Sequence, residues 1–512
     1  MLRAARNLFR LCQIALTMAR HDALFPLEGQ PGAAPVLALA RLFRRPGPST
    51  KRPGERLAEA LHALGPSFIK LGQALSTRAD LIGDELATDL SALQDRLPPF
   101  PGAEARAIVA KELGAPVESL FQSFEDVPVA AASIAQVHYA VTSEGEAVAV
   151  KVLRPGIAKA FARDLDLFLW IAALAERTQP SLRRLKPVAV VNTLAETVRL
   201  EMDLRFEAAA ASELRDNLAG DPDFRVPAVD WRRTSHDVLT LERVAGIPVD
   251  EREQLVAAGH DPVAILGKAA NAFFKQVFRD GFFHADLHPG NLFVAEDGAI
   301  VAVDFGIMGR LDRKTRFYLA DMLLGFLTRE YRRVAEVHFA AGYVPPRQSV
   351  DAFTQALRSI GEPILGRPLH EISLARLLAQ LFAVTEQFEM ETQPQLLLLQ
   401  KTMLVAEGVG RRLDPGVNMW SLAQPLIEEW MRENRGIEAR MIDAAADTAA
   451  TLERLPALLR DLESAVGAIA SGGLRLDPAT VEALGGGRRR GWGALPLWIA
   501  ALALLAIAVA MW

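Results

Sequence analysis

Hydrophobic and polar positions follow two different periods along this chain, and the change of period divides it into regions. Residues 54–118 follow a helical period. One helix there should begin at Pro66, because proline suits a first turn, and its apolar face would carry Leu64, Phe68, Leu71 and Leu75. Between residues 119 and 306 short apolar runs of strand type are interspersed with helical stretches, and a helical pattern then continues to about residue 480. The pattern predicts helices, then a part with strands, then helices again.

Two apolar runs near the middle of the chain predict a β-hairpin. They cover residues 292–294 and 299–303, and Asp297-Gly298 between them signals a tight turn. If the runs pair, Asn291 and Asp304 lie side by side at the open end of the hairpin. The hairpin would therefore gather polar side chains that are separated in the sequence.

These polar residues form a pattern that suits phosphoryl transfer. His284, Asp286 and Asn291 stand in the order H-x-D-x-x-x-x-N, and Asp304 opens the tripeptide D-F-G. Phosphoryl transfer needs an aspartate that orients the attacking hydroxyl, and oxygen ligands that hold Mg²⁺ on the nucleotide phosphates. The spacing matches the catalytic and metal loops of kinases. We therefore predict Asp286 as the catalytic aspartate, with Asn291 and Asp304 as metal ligands.

Two other interpretations of this stretch are open from the residues alone. His284 and Asp286 could begin a 2-His-1-carboxylate iron site whose distal ligand is His288, His338 or His370. The motifs could also be an ordinary polar loop. Neither interpretation explains why Asn291, the hairpin and D-F-G occur together.

A nucleotide-binding loop is predicted upstream. Residues 127–138 read VPVAAASIAQVH, and 147–151 read AVAVK, a strand that ends in Lys151. Kinases place a glycine-rich loop and a strand lysine at the phosphates, but here alanines occupy the loop, and each Cβ restricts the backbone. The candidate nucleotide contacts are Lys151 and the loop residues Ala130, Ala131, Ala132, Ser133, Ile134, Ala135, Gln136, Val137 and His138.

Acidic residues on a helical stretch, 188–217, are candidate partners for this lysine. Asp203 and Glu207 would share one helix face, whereas Glu201 lies about 120° around the helix from Glu207, so two roles are expected. A solvated acidic face is the alternative for these acids.

The strand-like run 238–244 leads into a hinge, where adenine would bond to the backbone near Glu242 and Val244.

Lys70 and Gln73 are i, i+3 neighbours on the helix that begins at Pro66. Their spacing fits either a solvated face or a shared site. Residues 393–404, QPQLLLLQKTML, read as a core helix rather than as part of a site.

Both ends of the chain carry membrane signals. Residues 492–512 contain no charged side chain, and at about 1.5 Å per residue they would span roughly 30 Å. Arg488, Arg489 and Arg490 precede them and would stay cytoplasmic. Residues 1–20 read as a basic amphipathic helix on the membrane surface. The alternatives are a buried core helix at the C-terminus and a signal peptide at the N-terminus.

Composition limits the compartment and the partners. Half of the residues are hydrophobic and the net charge is -5, which argues for a globular body and against nucleic acid as a main partner. Cys12 is the sole cysteine, so an internal disulfide is excluded and a reducing cytosol is the simplest fit.

Several of these motifs together resemble the UbiB family of atypical kinase-like proteins. They are K-x-G-Q at Lys70–Gln73, the alanine loop AAASIAQVH, VAVK, E-x-D at Glu201–Asp203, HADLHPGN and DFG. The resemblance implies an α+β, two-lobed, atypical protein-kinase-like fold with an N-terminal helical extension, here with a C-terminal transmembrane helix. The expected segments are a surface helix (1–20), a linker (21–53), the extension (54–118), an N-lobe (119–246), a C-lobe (247–430), a helical region (431–487) and the membrane helix (492–512).

The resemblance also implies roles. Lys151 would meet the phosphates of ATP or ADP with Glu207 as its helix partner, and Mg²⁺ would be the metal. Lys70 and Gln73 would lie over the active site and pair with Glu201 and Asp203, which would exclude protein substrates. A role in ubiquinone biosynthesis at the bacterial inner membrane follows, with inner-membrane lipids, polyprenylphenol or quinone precursors and other enzymes of that biosynthesis as partners.

Two further functions compete with a membrane-bound kinase or ATPase. One is a nucleotide-binding, lipid-handling scaffold whose phosphoryl transfer is vestigial. The other is a small-molecule phosphotransferase of the aminoglycoside-kinase type, which shares H-x-D-x-x-x-x-N but gives no reason for the membrane tail or the Lys70 helix.

Overall fold

The structure, a computed structural model, describes part of the chain. The described residues are 2–25, 43, 51–76, 82–91, 97–178, 187–363, 384–385, 387–390, 394–414, 416 and 419–435. The chain divides into two compact units, residues 1–432 and residues 433–512. Nearly all described residues belong to the first unit.

The N-terminal part is a group of helices with one apolar core. Its helices are α1 (Leu2–Arg20), α2 (Pro53–Leu64), α3 (Pro66–Ser76) and α4 (Asp84–Ser91). Gly65 separates α2 from α3 with a φ of 103°, a backbone conformation that side chains with a Cβ rarely adopt. Phe68 and Ile69 of α3 are buried, and the Phe68 ring meets Phe168 edge to face at 5.1 Å. This contact joins α3 to the helices of the neighbouring lobe.

A five-stranded sheet with its helices forms the next part of the chain. The elements are α5 (Gly102–Leu113), α6 (Val117–Leu120), β1 (Phe121–Phe124), β2 (Ala130–Ala131), β3 (Ala135–Thr142), β4 (Ala147–Leu153), α7 (Ile157–Thr178), α8 (Pro187–Glu201), α9 (Leu204–Asn217), β5 (Phe224–Arg225) and β6 (Val238–Glu242). The order is β1-β3-β4-β6, with β2 on β3, and β5 lies in a second sheet. Val148, Val150 and Val152 of β4 pack in the core that α5 covers, so alternation turns Lys151 to the opposite face.

The following part carries the predicted catalytic stretch on short strands. It contains β7 (Ile247–Pro248), α10 (Arg252–Ala257), α11 (Pro262–Phe274), a π-helical turn (Lys275–Asp280), β8 (Phe282–His284), β9 (Leu292–Val294), β10 (Ile300–Ala302) and β11 (Met308–Arg310). The strands form one sheet of order β5-β10-β9-β7 and a pair, β11-β8. The apolar core of this sheet also contains Phe305, and Leu413 from a helix much later in the chain.

Helices make up the rest of the described chain: α12 (Arg313–Leu327), α13 (Tyr331–Ala340), α14 (Val350–Gly361), α15 (Pro394–Leu413) and α16 (Met419–Arg435). Mixed helices and sheets in this order agree with the predicted α+β class. In the described ranges no helix is long and apolar enough to cross a membrane. The predicted membrane helix, 492–512, lies outside the described residues, as do most of the linker 21–53 and of the region 431–487.

The first helix uses its arginines in a way that the sequence did not indicate. Arg10 bonds the carboxylate of the buried Asp164 at 2.9 and 3.0 Å and the carbonyl oxygen of Leu64 at 3.2 Å. Arg6 pairs with Asp166 at 3.1 Å. The charge of Arg10 is therefore neutralised by an acid in the body of the protein. Contact of α1 with a membrane stays a prediction.

Candidate functional site

The predicted hairpin is confirmed, and it forms the frame of the site. β9 and β10 pair antiparallel with Ile300 opposite Val294. Gly298 in the turn has a φ of 78°, which glycine adopts without steric cost. At the open end the amide of Val303 donates to the carbonyl oxygen of Asn291 at 2.9 Å. Asn291 and Asp304 are therefore on neighbouring chain segments, as the sequence indicated.

Asp286 and Asn291 are in direct contact. The Asn291 amide nitrogen donates to the carbonyl oxygen of Asp286 at 3.0 Å and to its carboxylate at 3.3 Å. These bonds fix the orientation of the Asn291 side chain and leave its Oδ1 available as an oxygen ligand. Among the described residues, no lysine or arginine forms an ion pair with the Asp286 carboxylate, which accepts a hydrogen bond from Asn291.

His284 supports this loop from inside. It is fully buried, its Nε2 donates to the carbonyl oxygen of Val303 at 3.1 Å, and its Nδ1 accepts the amide of Asp286 at 3.2 Å. Burial lowers the pKa of His284, so the ring stays neutral. Because both ring nitrogens are bonded to backbone, His284 is a poor metal ligand. This geometry argues against the iron interpretation.

Asp304 is held in an unusual backbone conformation. Its φ is 61°, in the left-handed region that few residues other than glycine adopt. Its Oδ1 accepts a hydrogen bond from the ammonium group of Lys151 at 3.1 Å, while half of the Asp304 side chain is exposed. Strain at a half-exposed carboxylate is typical of functional positions.

Lys151 lies between two carboxylates. Its Nζ is 2.8 and 2.9 Å from the carboxylate oxygens of Glu207 and 3.1 Å from Asp304. Burial alone would lower the pKa of Lys151, but the two acids outweigh it and raise that pKa. The lysine is therefore a fixed cation, and the predicted Lys151–Glu207 partnership has the geometry of an ion pair.

The two acids have opposite pKa shifts. The charge of Lys151 lowers the pKa of Asp304 to about 2, against the effect of burial, and Lys70 contributes in the same direction. Burial raises the pKa of Glu207 to about 7, although Lys151 opposes this. Asp304 is thus ionised at neutral pH. An ionised carboxylate beside an amide oxygen is a donor set that suits Mg²⁺, so Asp304 and Asn291 fit that ion.

The predicted contact of the extension with the site is present through Glu201. Lys70 of α3 pairs with the Glu201 carboxylate at 2.8 Å, and both side chains are largely shielded from solvent, at 12% and 13% exposure. Asp203 makes different contacts. As the N-cap of α9 its side chain accepts a hydrogen bond from the Arg205 amide, and it pairs with the Arg205 guanidinium at 2.7 Å. The Gln73 side chain is half-buried. Glu201 and Asp203 therefore serve different contacts.

The alanine loop is anchored by its polar side chains. The buried Gln136 bonds the Phe100 backbone in both directions, at 2.9 and 3.1 Å, and lies 2.8 Å from Nε2 of His138. His138 donates from Nδ1 to the carbonyl oxygen of Glu125 at 2.7 Å. Arg154 adds two bonds to the carbonyl oxygen of Ala132, at 2.8 and 3.0 Å. The side chains of Gln136 and His138 thus hold the loop, and contact of residues 130–138 with nucleotide stays a prediction.

The hinge residues border a cavity of about 540 Å³. Glu242 and Val244 line it together with the end of α9 and residues of β5, whereas Lys151 and Asp304 are outside its lining. The Glu242 amide and carboxylate bond the Ala228 backbone at 2.8 and 3.2 Å. Adenine contact at the Glu242 and Val244 backbone remains a prediction.

Two residues near the site were missed from the sequence. Arg154, which holds the alanine loop, follows β4 directly, and Thr402 is a fully buried polar residue in α15. The Thr402 hydroxyl lies 3.1 Å from the carbonyl oxygen of Ala285, between His284 and Asp286. The sequence alone does not single out Thr402, because the run LLLLQKTML also contains Gln400 and Lys401.

Comparison with known proteins agrees with this geometry. Residues 92–338 match the ABC1 atypical kinase-like domain, and residues 357–418 match the UbiB helical domain. A relative from Marinobacter nauticus named "Probable protein kinase UbiB" is 46% identical over 439 residues, which cover 84% of this chain and 80% of the relative.

A solved structure with a similar fold is titled "The complex structure of Rv3197-erythromycin from Mycobacterium tuberculosis". It matches with a TM-score of 0.52 and 26% identity, over 72% of this chain and 93% of that one. The site and the fold are kinase-like, and the two family matches follow one another along the chain. This chain therefore belongs to the UbiB family of atypical kinase-like proteins.

Proposed function

We propose that this protein is a membrane-bound, Mg²⁺-dependent kinase or ATPase that supports ubiquinone biosynthesis by acting on or presenting polyprenylphenol intermediates. The observation that carries the proposal is the fixed cation Lys151 between Glu207 and Asp304. Asp304 follows the second strand of the hairpin, and Asn291, which contacts Asp286, precedes the first. Family membership supports the pathway.

Each residue has a definite task in such a reaction. Lys151 would hold the nucleotide phosphates, and Asp286 would accept the proton of the attacking hydroxyl or water. Asn291 and Asp304 would hold Mg²⁺, which when bound neutralises developing charge on the phosphates. Asp304 is ionised and Asn291 is fixed by Asp286, so the oxygen ligands need little rearrangement.

The membrane part of the proposal rests on the two ends of the chain. The charge-free segment 492–512 is long enough to span a bilayer, and the exposed positions of α1 include Phe9, Leu16 and Arg20. We propose the bacterial inner membrane with the body on the cytoplasmic side, as the arginines before residue 492 favour. Lipids and polyprenylphenols would then meet the protein at the bilayer.

Phosphate release by the full-length protein tests the proposal. The assay compares Mg²⁺-ATP alone, with vesicles of phosphatidylglycerol and cardiolipin, and with a polyprenylphenol added to those vesicles; Asp286→Asn is the control. Turnover that requires Asp286 and rises with both additions supports the proposal. Nucleotide binding without turnover under any condition would favour the lipid-handling scaffold instead.

A further inference from the structure

Helix α15 places one polar group against the catalytic loop. Thr402 is fully buried in the helix, although it directly follows the polar residues Gln400 and Lys401. Its Oγ1 lies 2.8 Å from the carbonyl oxygen of Leu398, one turn earlier, and 3.1 Å from the carbonyl oxygen of Ala285. A hydroxyl has one proton to donate, so these two acceptors share it.

The bond to Ala285 acts on the peptide group that precedes Asp286. The oxygen of that peptide group faces Thr402, and its nitrogen, which belongs to Asp286, donates to Nδ1 of His284 at 3.2 Å. One planar peptide group is thus held at both ends. Because its plane limits where the Asp286 side chain can point, Thr402 and His284 together orient that carboxylate.

Apolar packing brings the same helix to the same loop. Leu399 of α15 shares a buried cluster with Phe283 and Ala285, and Leu413 of α15 shares another with Leu287. The amide of Ala285 also donates to the carbonyl oxygen of Ile307 at 3.0 Å. The end of β8 and the loop that follows it, residues 283–287, therefore rest on α15, and Thr402 is positioned to supply a directional contact within this packing.

We propose that Thr402 is a positioning residue for Asp286, through which the C-terminal helical region sets the geometry of the catalytic loop. This inference rests on the proposed phosphoryl transfer at Asp286. It gives α15 a function beyond filling the core. A hydroxyl that only satisfied its own helix would bond Leu398 and would have no effect on Asp286.

The test removes the donor without changing the shape. Thr402→Val keeps the volume but leaves the Ala285 oxygen without a donor, whereas Thr402→Ser keeps the donor and loses a methyl group. Thr354→Val is the matched control, because the Thr354 hydroxyl bonds to Val350 within its own helix at 2.8 Å. We expect kcat for ATP to fall roughly tenfold to a hundredfold in Thr402→Val with KM nearly unchanged. Thr402→Ser and Thr354→Val should stay within about threefold of wild type.

Hydrogen exchange gives a readout that does not depend on turnover. Amides in residues 282–291 should exchange faster in Thr402→Val and at the wild-type rate in Thr354→Val. An equal loss of kcat in the serine variant, or unchanged kcat or exchange in the valine variant, would overturn the inference. If wild type shows no turnover, the proposed function fails, and unchanged exchange in Thr402→Val would still overturn the positioning of the loop by Thr402.

Discussion

Two lysine–glutamate pairs converge on the candidate site, one from each of two regions of the molecule. Lys151 and Glu207 join the sheet to α9, and Lys70 and Glu201 join the N-terminal extension to the end of α8. Both have nitrogen–oxygen distances of 2.8 Å and are similarly shielded. The first pair differs in having a second acid, Asp304, on the same lysine.

We propose that this difference separates a pair that would hold the nucleotide phosphates from a pair that would enclose the site. Lys151 contacts the predicted metal ligand, while Lys70 influences Asp304 through its charge. The two glutamates lie on either side of the corner that Asp203 caps. The predictions below test this division of roles.

The largest effects are expected at Asp286 and Asp304, which lie outside the two lysine–glutamate pairs. Asp286→Asn should lower turnover by roughly 10² to 10⁴, the range of a positioned proton acceptor, and leave nucleotide affinity unchanged. Asp304→Asn should lose Mg²⁺-dependent nucleotide binding, because a charged ligand of the cation is removed. Binding and turnover measured side by side check this. An equal loss of binding in both variants would show that the roles are assigned wrongly.

Lys151→Met should lower turnover by roughly 10² to 10³, the scale of losing one electrostatic contact to the transition state. Its cost in stability should be small at pH 7, since Glu207, with a pKa already raised to about 7 by burial, can take up a proton when its partner is removed. Thermal unfolding and phosphate release provide the measurements. A variant that unfolds at room temperature would argue against a protonated Glu207.

The pH dependence of stability distinguishes Glu207 from Asp304, the other acid on Lys151. Burial raises its pKa from 4.5 to about 7, so the folded state binds this proton more tightly than the unfolded chain. The resulting stabilisation is complete below pH 4.5 and is lost as the pH rises through 7, by up to about 3 kcal/mol. Urea unfolding at pH 5 and 7.5 should show this loss in wild type and not in Glu207→Gln. The same loss in both proteins would contradict the assignment.

The smallest effect concerns the stability of the extension. Lys70→Ala leaves the shielded Glu201 without this partner and should cost about 2 kcal/mol. Lys51→Ala is the control beside the extension, because Lys51 pairs with Glu59 of α2 at a half-exposed position and should change stability by less than about 0.5 kcal/mol. Chemical unfolding of both variants measures the difference. Equal costs would mean that shielding does not distinguish Lys70.

The parts of the site predicted from sequence are those encoded over short distances. The turn at Asp297-Gly298 and the apolar runs on either side of it specify a hairpin, which places Asn291 beside Asp304. Lys151 and Glu207 lie far apart in the sequence, so their pairing followed from the family resemblance rather than from spacing. The same holds for Lys70 and Glu201.

Contacts made only on folding were beyond the sequence. Arg10 lies in a segment that reads as a membrane-surface helix. It nevertheless bonds Asp164, which is far away in the sequence and on another helix. Thr402 lies in an apolar run that predicts core, and its contact with Ala285 needs two segments that are distant in the chain. Gln136 and His138 likewise bond backbone groups of other segments. Such partners depend on tertiary packing.

The most direct test is a double-mutant cycle on Lys70 and Glu201 with phosphate incorporation into the protein itself as the readout. If their contact closes the site, Lys70→Ala and Glu201→Gln should each permit autophosphorylation, and the double variant should add nothing, because all three break one contact. Lys51→Ala should behave as wild type. Variants that all match wild type, or two single effects that add independently, would contradict a site enclosed by this pair.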